Sequence, residues 1–285
     1  MPELPDLEVV VPRLRETVAG KRIVGARVKE PIVLRVAVPG DLPTLMTGRT
    51  IETVERRGNF VLFGLGELEL AVNMMLAGRF RLAAPGEKTE RSMCFALLVG
   101  QDLELRFLDD KKMGKAYVIP RGRHDLAPGL ATLGVEVMSD AFTLARFREL
   151  ARRRRDQVRT FLMDKKAIAA IGNAYADEIL FAARIHPKTR VQQLTSKEID
   201  RLHGCIKEVL AQAIDEVARR GAPIEEKVRD FLAVRGKKGA KCPRCGTTLR
   251  RAVHLSADAV FCPECQPAKR PQFVDWRKVP KDRGD

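Results

Sequence analysis

The sequence predicts an α+β protein with more than one domain, and three observations support this prediction. Residues 23 to about 120 consist of short runs rich in Val, Leu and Ile, separated by Gly, Pro or Asp. From about residue 142 the apolar residues recur at helical spacing. Near the carboxyl end two C-x-x-C pairs follow each other in a chain of 285 residues, a length that accommodates two domains better than one.

The first half predicts one helix followed by a β domain. Leu7, Val10 and Leu14 recur at helical spacing in the first 20 residues, Pro12 should kink this helix, and Gly20 should end it. The runs that follow, such as IVGARV, FVLFGL and LELRFL, are typical of strands. They favour an antiparallel architecture, either a sandwich or a barrel.

The second half predicts helices, most clearly at residues 195–219. Thr195 and Glu198 fit a capping box at its start. Its predicted buried stripe is Ile199, Leu202, Ile206, Leu210, Ile214 and Val217. Upstream, Gly172-Asn173 predicts a turn that leads into another helix.

The cysteine pairs predict one structural zinc ion. Cys242 and Cys245 are separated from Cys262 and Cys265 by 16 residues, which is within the range of four-cysteine zinc sites. Four thiolates complete a tetrahedral site and leave no position for a reacting water, so this metal should organise a hairpin and perform no chemistry. The spacing alone does not separate a DNA-binding finger from a protein-binding ribbon.

The charge predicts a nucleic-acid partner. The formal net charge is +15, and Lys and Arg at this excess displace counterions from phosphates. A solubility charge or a preference for anionic membrane surfaces is the alternative. No run of about 18 apolar residues occurs, which argues against a membrane span. The acidic start MPELPDLE is unlike a secretory signal, so we expect a cytoplasmic protein.

The amino terminus offers a candidate nucleophile. Removal of Met1 would leave Pro2 with a free secondary amine, which can attack C1′ of a damaged deoxynucleoside. The carboxylate of Glu3 can exchange protons with the sugar. Taken alone, these residues are also consistent with an ordinary chain start.

The chain resembles the formamidopyrimidine-DNA glycosylase / endonuclease VIII family, as a divergent member. The segments MPELPDLE, IGNAYADEILFAARIHP and FCPECQ carry the resemblance. Weaker matches at RRGNFVLF, NMMLAGRFRL, FLDDKKMG and LGVEVMSD keep the family's order, so the resemblance covers residues 1 to about 267.

This resemblance implies an N-terminal β-sandwich with flanking helices, a helix–two-turn–helix domain and a C-terminal zinc-finger hairpin with four cysteine ligands. The boundaries expected are 1–135, 136–225 and 226–267, followed by a basic mobile tail at 268–285. The implied partner is double-stranded DNA with a damaged base or an abasic site, bound in a cleft with the damaged nucleotide flipped out. We expect a monomer, associated with the bacterial nucleoid.

The resemblance also assigns roles to individual residues. Pro2 is the implied nucleophile, Glu3 the implied acid/base, and Asn173 the implied phosphate ligand. Asn59 and Asn73 stand where the family has a Lys and a His, and they are carried over as DNA contacts without the charge. Asp6 replaces a Glu, and Ala257 replaces an Arg of the finger.

The implied DNA wedge also departs from the family. Leu76, Lys112 and Met113 replace Met, Arg and Phe at the positions that fill the gap left by a flipped base. Arg159 and several basic clusters fall in the half implied to face DNA. The segment GAPIEEKVRDFLAVRGKKG is too short for a long loop over an oxidised purine, which argues against a preference for 8-oxoguanine.

The predicted function is therefore that of a bifunctional DNA glycosylase and AP lyase that acts through a Schiff base on Pro2. The alternative is a catalytically impaired paralogue that binds damaged or distorted DNA without cleaving it. A third hypothesis is that the cysteine module is a protein-interaction ribbon on an unrelated β domain. This hypothesis would require that the protein has no affinity for DNA.

Overall fold

The structure, a computed structural model, describes residues 2–252 and 258–269. The chain divides into two compact units. The first comprises Met1–Thr143, Leu162–Gly172 and Ile206–Phe231, and the second comprises Leu144–Phe161, Asn173–Cys205 and Leu232–Asp285. Each unit is built from segments that are distant in the sequence.

The described elements follow the predicted order of one helix, a run of strands, and then helices. The helices are α1 (Leu4–Val18), α2 (Leu42–Met46), α3 (Leu144–Arg152), α4 (Val158–Met163), α5 (Asn173–Ala182) and α6 (Ser196–Arg220). The strands are β1 (Ile23–Val28), β2 (Leu34–Val36), β3 (Thr53–Arg57), β4 (Phe60–Leu65), β5 (Leu68–Asn73), β6 (Arg79–Ala83), β7 (Met93–Val99), β8 (Leu103–Leu108), β9 (Lys115–Pro120), β10 (Arg250–Ala252) and β11 (Ala259–Phe261).

Two sheets form a sandwich in the first unit, which resolves the choice between sandwich and barrel. One has the order β1-β7-β8-β6 and the other β2-β9-β5-β4-β3. Their inner faces share one core, in which the rings of Phe63 and Phe80 meet edge to face at 5.4 Å between centroids. The pairing is antiparallel except between β2 and β9, which run parallel. This exception is not predictable from the sequence, because a three-residue strand gives no signal of direction.

Helix α1 covers one edge of this core. Leu7, Leu14 and Val18 are fully buried in it, in agreement with the predicted apolar spacing. Pro12 lies inside the helix, which ends at Val18 before Gly20. Gly20 has a φ of +78°, a conformation that favours glycine, so the chain can turn there into β1.

The capping box predicted for α6 is present. The Glu198 carboxylate accepts the backbone N–H of Thr195 at 2.7 Å, and the Thr195 hydroxyl accepts that of Glu198 at 3.3 Å. Leu202, Leu210 and Val217 of the predicted stripe are buried. Within residues 2–252 and 258–269, no helix has the length and the apolar character needed to cross a membrane.

Candidate active site and nucleic-acid interface

The start of α1 holds the two candidate catalytic residues. Pro2 is buried and Glu3 is the N-cap residue of the helix. The backbone N–H of Glu3 donates to the Asp6 carboxylate at 2.7 Å, and that of Leu4 donates to the Ala170 carbonyl at 3.1 Å. These bonds fix the backbone on which Pro2 and Glu3 stand. Met1 lies outside the described residues, so its predicted removal stays a prediction.

The Glu3 side chain is positioned by Gly172. The Gly172 N–H donates to the Glu3 carboxylate at 3.0 Å. A Cβ at residue 172 would lie 2.5 Å from the Glu3 carboxyl carbon, so any other residue would displace the Glu3 carboxylate. The sequence predicts a turn at Gly172 but not this role, because a close approach between distant segments leaves no local signal.

Asp6 is paired with Arg229 of GAPIEEKVRDFLAVRGKKG, the segment predicted to be too short for a long loop over a purine and called the shortened segment below. Arg229 donates to the same Asp6 oxygen that accepts the Glu3 N–H. The chain just before Arg229 packs along α1, and Asp6, Val10, Ile224 and other residues enclose a space of only about 10 Å³ there. The shortened segment therefore fills the space beside Asp6, and it links that region to the start of α1.

Asn59, in the turn before β4, and Asn73, at the end of β5, are predicted DNA contacts and lie next to each other. The Asn59 amide Nδ2 donates to Asn73 Oδ1 at 2.7 Å, and the Met75 N–H donates to the same oxygen at 3.1 Å. Both asparagines line a pocket of about 330 Å³, to which Lys165 and Lys166 also contribute. The pocket thus has neutral amides at positions 59 and 73, where the family has a Lys and a His. It also contains two lysines from another segment of the chain.

The three predicted wedge residues occupy two adjacent loops. Leu76 is 52% exposed and Met113 is 42% exposed, so both apolar side chains are accessible. A Cβ at Gly78 or at Gly114 would approach the ring of Phe107 to 2.9 or 2.7 Å, so both loops pass over this one ring.

The loop that carries Lys112 and Met113 is held by polar contacts. The Asp109 carboxylate accepts the Gly114 N–H at 2.6 Å, and Lys112 pairs with Glu30 at 2.7 Å. Lys112 has a φ of +53°, so its backbone is held in a conformation that a lysine seldom adopts. This loop therefore presents Met113 on a defined backbone, and the loop of Leu76 is closed by the Gly78 N–H, which donates to the Met74 carbonyl at 2.8 Å.

Asn173, the predicted phosphate ligand, begins α5 in the second unit and is oriented by Arg159. The guanidinium of Arg159 donates to Asn173 Oδ1 at 2.9 Å and to the Asp177 carboxylate at 2.8 Å. Because a guanidinium only donates, the Asn173 Nδ2 group is the one directed elsewhere, as a donor. Arg235 pairs with the other Asp177 oxygen at 2.7 Å.

The location of Arg159 corrects the sequence analysis. We expected a cation on a face directed to DNA, but Arg159 is 1% exposed and pairs with a fully buried carboxylate. A guanidinium in this position orients Asn173 and the start of α5. Sequence patterns identify basic residues but not which of them are buried.

The four cysteines meet the geometric requirement for zinc. Their sulfur atoms all lie within 4.8 Å of one another, with 3.9 Å between Cys242 and Cys265 and 3.5 Å between Cys245 and Cys262. Tetrahedral zinc with bonds of about 2.3 Å places its sulfurs about 3.8 Å apart. These cysteines would therefore hold one zinc ion.

The zinc module is joined to the rest of the second unit by Gln266. This fully buried side chain accepts the Cys262 N–H at 3.0 Å and donates to the Ile185 carbonyl at 2.8 Å. The metal would thereby hold a hairpin that is already connected to the chain after α5. Ala257 and almost all of the predicted tail lie outside the described residues.

Comparison with known proteins gives matches to three family models. The N-terminal domain of formamidopyrimidine-DNA glycosylase matches residues 1–116, its H2TH domain matches residues 133–221, and the zinc finger found in FPG and IleRS matches residues 239–268. Together these matches account for both described units.

Curated relatives carry the name formamidopyrimidine-DNA glycosylase. The protein of Symbiobacterium thermophilum is 34% identical over all of this chain and 96% of its own length. That of Listeria innocua is 33% identical over 93% of this chain and all of its own length.

Solved structures of the same kind resemble this chain. The Lactococcus lactis Fpg in complex with DNA that contains an abasic site has a TM-score of 0.85 at 28% identity, over 93% of this chain and 100% of its own. The MutM (FPG) protein of Thermus thermophilus has a TM-score of 0.82 at 32% identity, over 93% and 98%. A Lactococcus lactis Fpg mutant bound to DNA with Fapy-dG has a TM-score of 0.86 at 28% identity, over 94% and 100%.

Proposed function

Because this chain belongs to the formamidopyrimidine-DNA glycosylase family, which consists of DNA glycosylases with AP lyase activity, we propose that it removes damaged bases through the imino nitrogen of Pro2. The observation that carries the proposal is the fixed position of Glu3, the next residue, whose carboxylate accepts the Gly172 N–H at 3.0 Å. A carboxylate held beside the amine can move protons at the sugar to which the amine binds.

The proposed reaction has two stages. The unprotonated Pro2 nitrogen forms a bond to C1′ while the bond from C1′ to the base breaks, and the base leaves with a proton. Opening of the sugar ring, with Glu3 exchanging the proton, gives an iminium between Pro2 and C1′. Loss of a C2′ proton then expels the 3′ phosphate, which cleaves the strand, and water releases the enzyme.

The DNA partner is a duplex that carries a damaged base or an abasic site. Asn173 supplies an N–H donor to a phosphate, and the loops of Leu76 and Met113 enter the gap left by the flipped nucleotide. The charge of +15 supports binding to DNA in the cytoplasm and association with the nucleoid.

The substrate we propose is a damaged base other than 8-oxoguanine. The segment before Arg229 packs along α1 and leaves only about 10 Å³ beside Asp6, so it is not available as a long loop over a purine. Cleavage of 8-oxoguanine duplex should therefore be slow relative to cleavage of abasic duplex. A panel of duplexes with different lesions would identify the preferred base.

Borohydride trapping tests the mechanism. Reduction of the iminium should link the protein covalently to an abasic duplex, and peptide mapping should place the adduct on Pro2. The variant Pro2→Gly should lose most of the trapping and of the strand cleavage while it still binds the duplex. The intact mass should show that Met1 is absent. A purified protein that binds abasic duplex but yields no adduct would instead be the impaired binding paralogue.

A further inference from the structure

The pocket that contains Asn59 and Asn73 combines donors, an acceptor and cations in about 330 Å³. Its polar lining residues are these two amides with Thr132, Asp164, Lys165 and Lys166, and Phe60 and Leu133 are the large apolar ones. All of these residues belong to the first unit, which also contains Glu3.

The orientation of both amides follows from one backbone group. The Met75 N–H can only donate, so the Asn73 atom that accepts it at 3.1 Å must be the oxygen. Asn59 must then donate to that oxygen through Nδ2, which leaves Asn59 Oδ1 as an acceptor. This oxygen is buried and has no hydrogen-bond partner among the described residues. A buried acceptor without a donor destabilises the protein, so this oxygen requires a hydrogen-bond donor.

The segment that carries Lys165 is held in place by residue 134. The Gly134 N–H donates to the Lys165 carbonyl at 2.8 Å. A Cβ at Gly134 would lie 2.3 Å from the Ala167 carbonyl, so the backbones around residues 134 and 167 are in direct contact and leave no room for a side chain at position 134. Burial lowers the pKa of Lys165, and the nearby negative charge of Glu3 opposes that shift. Lys165 is therefore a partly desolvated cation within the electrostatic field of the candidate catalytic carboxylate.

We propose that Lys165 is the phosphate-binding cation of this pocket and positions the phosphodiester beside the nucleotide that Pro2 attacks. The Lys165 ammonium brings a positive charge and N–H donors to the pocket that also contains the Asn59 Oδ1 acceptor, and a phosphate there would accept from this ammonium and from Asn73 Nδ2. The charge missing at position 59 is then supplied from a different segment. This inference rests on the proposed function, because it assigns a role within the same reaction.

The test compares variants of the full zinc-loaded protein on a duplex with a tetrahydrofuran abasic analogue. Lys165→Met should bind about threefold to tenfold more weakly at 0.1 M salt and should lower the slope of log K against log salt by about 1. Lys165→Arg should retain the slope. The double variant Asn59→Lys with Lys165→Met should recover the parent's salt slope, because the lysine at position 59, in the turn between β3 and β4, restores a positive charge to the pocket. Lys21→Met, which removes an exposed lysine at the start of β1, is the matched control and should behave as the parent protein.

Two results would overturn the assignment. One is an unchanged salt slope for Lys165→Met in a protein of unaltered melting temperature. The other is a loss of slope in Lys166→Met that equals or exceeds that of Lys165→Met. Borohydride trapping of the parent protein is run in parallel. If the parent is trapped while the Lys165 variants bind normally, this inference fails and the proposed function stands; if the parent is not trapped, the proposed function itself fails.

Discussion

The Gly172 N–H donates to the Glu3 carboxylate at 3.0 Å, and a Cβ at residue 172 would lie only 2.5 Å from the Glu3 carboxyl carbon. Gly172→Ala should therefore displace the Glu3 carboxylate without removing any functional group. A displacement of about 1 Å in an active site can reduce a rate about 100-fold. Single-turnover cleavage of abasic duplex should slow by about that factor, while the dissociation constant for the duplex changes little.

Gly204→Ala provides the control for this prediction. Gly204 lies in α6, where an added Cβ meets nothing within 4 Å, so alanine should increase helix stability and leave cleavage unchanged. Normal single-turnover rates in Gly172→Ala would show that the position of Glu3 does not limit the reaction. A large loss of DNA affinity in the same variant would point to general misfolding instead.

The exposed apolar residues of the two adjacent loops should discriminate damaged from intact DNA. Truncation of Leu76 or Met113 to Ala should weaken binding to the abasic-analogue duplex by about tenfold, since an apolar wedge compensates for the unstacked base. Binding to undamaged duplex and the melting temperature should hardly change, because these side chains are 52% and 42% exposed. Ile32→Ala, at a side chain that is 60% exposed, is the control. Equal losses on damaged and intact duplex would contradict a wedge role.

Local and periodic features of this fold were predictable from the sequence. The capping box of Thr195 and Glu198, the start of α5 at Asn173 and the cysteine spacing each involve residues within one element or one short module. Such patterns express local hydrogen bonding or fixed ligand geometry, so they can be recognised without knowledge of the tertiary structure.

Features that depend on distant segments were not predictable in this way. The contact of Gly172 with Glu3 spans 169 positions, and that of Arg229 with Asp6 spans 223. The burial of Arg159 depends on Asp177, which lies one element away. Charge and turn propensity are properties of single residues. The roles of Gly172, Arg229 and Arg159 depend instead on which distant residue the tertiary structure places next to each of them.

Removal of zinc should unfold the second unit before the first. The thiolates of Cys242 and Cys262 are close to the apolar side chains of Leu249 and Val260, which pack in the same cluster. Cys262→Ser should lower the zinc content and expose this cluster, and a strong chelator should do the same to the parent protein. Zinc analysis combined with limited proteolysis should show early cleavage within the second unit. Cys205→Ser, at a half-buried thiol in α6, should keep the full zinc content. Resistance of the chelated protein to proteolysis would contradict a structural role for the metal.

The stability of the second unit should also depend on the protonation of His186. Its Nδ1 accepts the Lys188 N–H at 3.1 Å, and its ring meets that of Phe261 edge to face at 4.7 Å. Burial, followed by the positive charge of Lys188, lowers the pKa of His186 below the ordinary 6.5. An acceptor in this position must be unprotonated, so the geometry and the direction of the shift agree.

The sign of the pH effect follows from this lowered pKa. Below pH 6.5 the unfolded chain takes up a proton at His186 that the folded chain resists, so the free energy of unfolding should fall as the pH decreases through the folded pKa. Above pH 6.5 this contribution should be constant. His186→Asn keeps a hydrogen-bond acceptor but does not titrate, so its unfolding free energy should change less than that of the parent between pH 7.5 and 5.5. The slopes of unfolding free energy against pH for the two proteins should differ by at most about 1.4 kcal/mol per pH unit. Urea unfolding of both proteins with excess zinc measures this difference. Parallel pH profiles for the two proteins would show that His186 does not control the acid sensitivity.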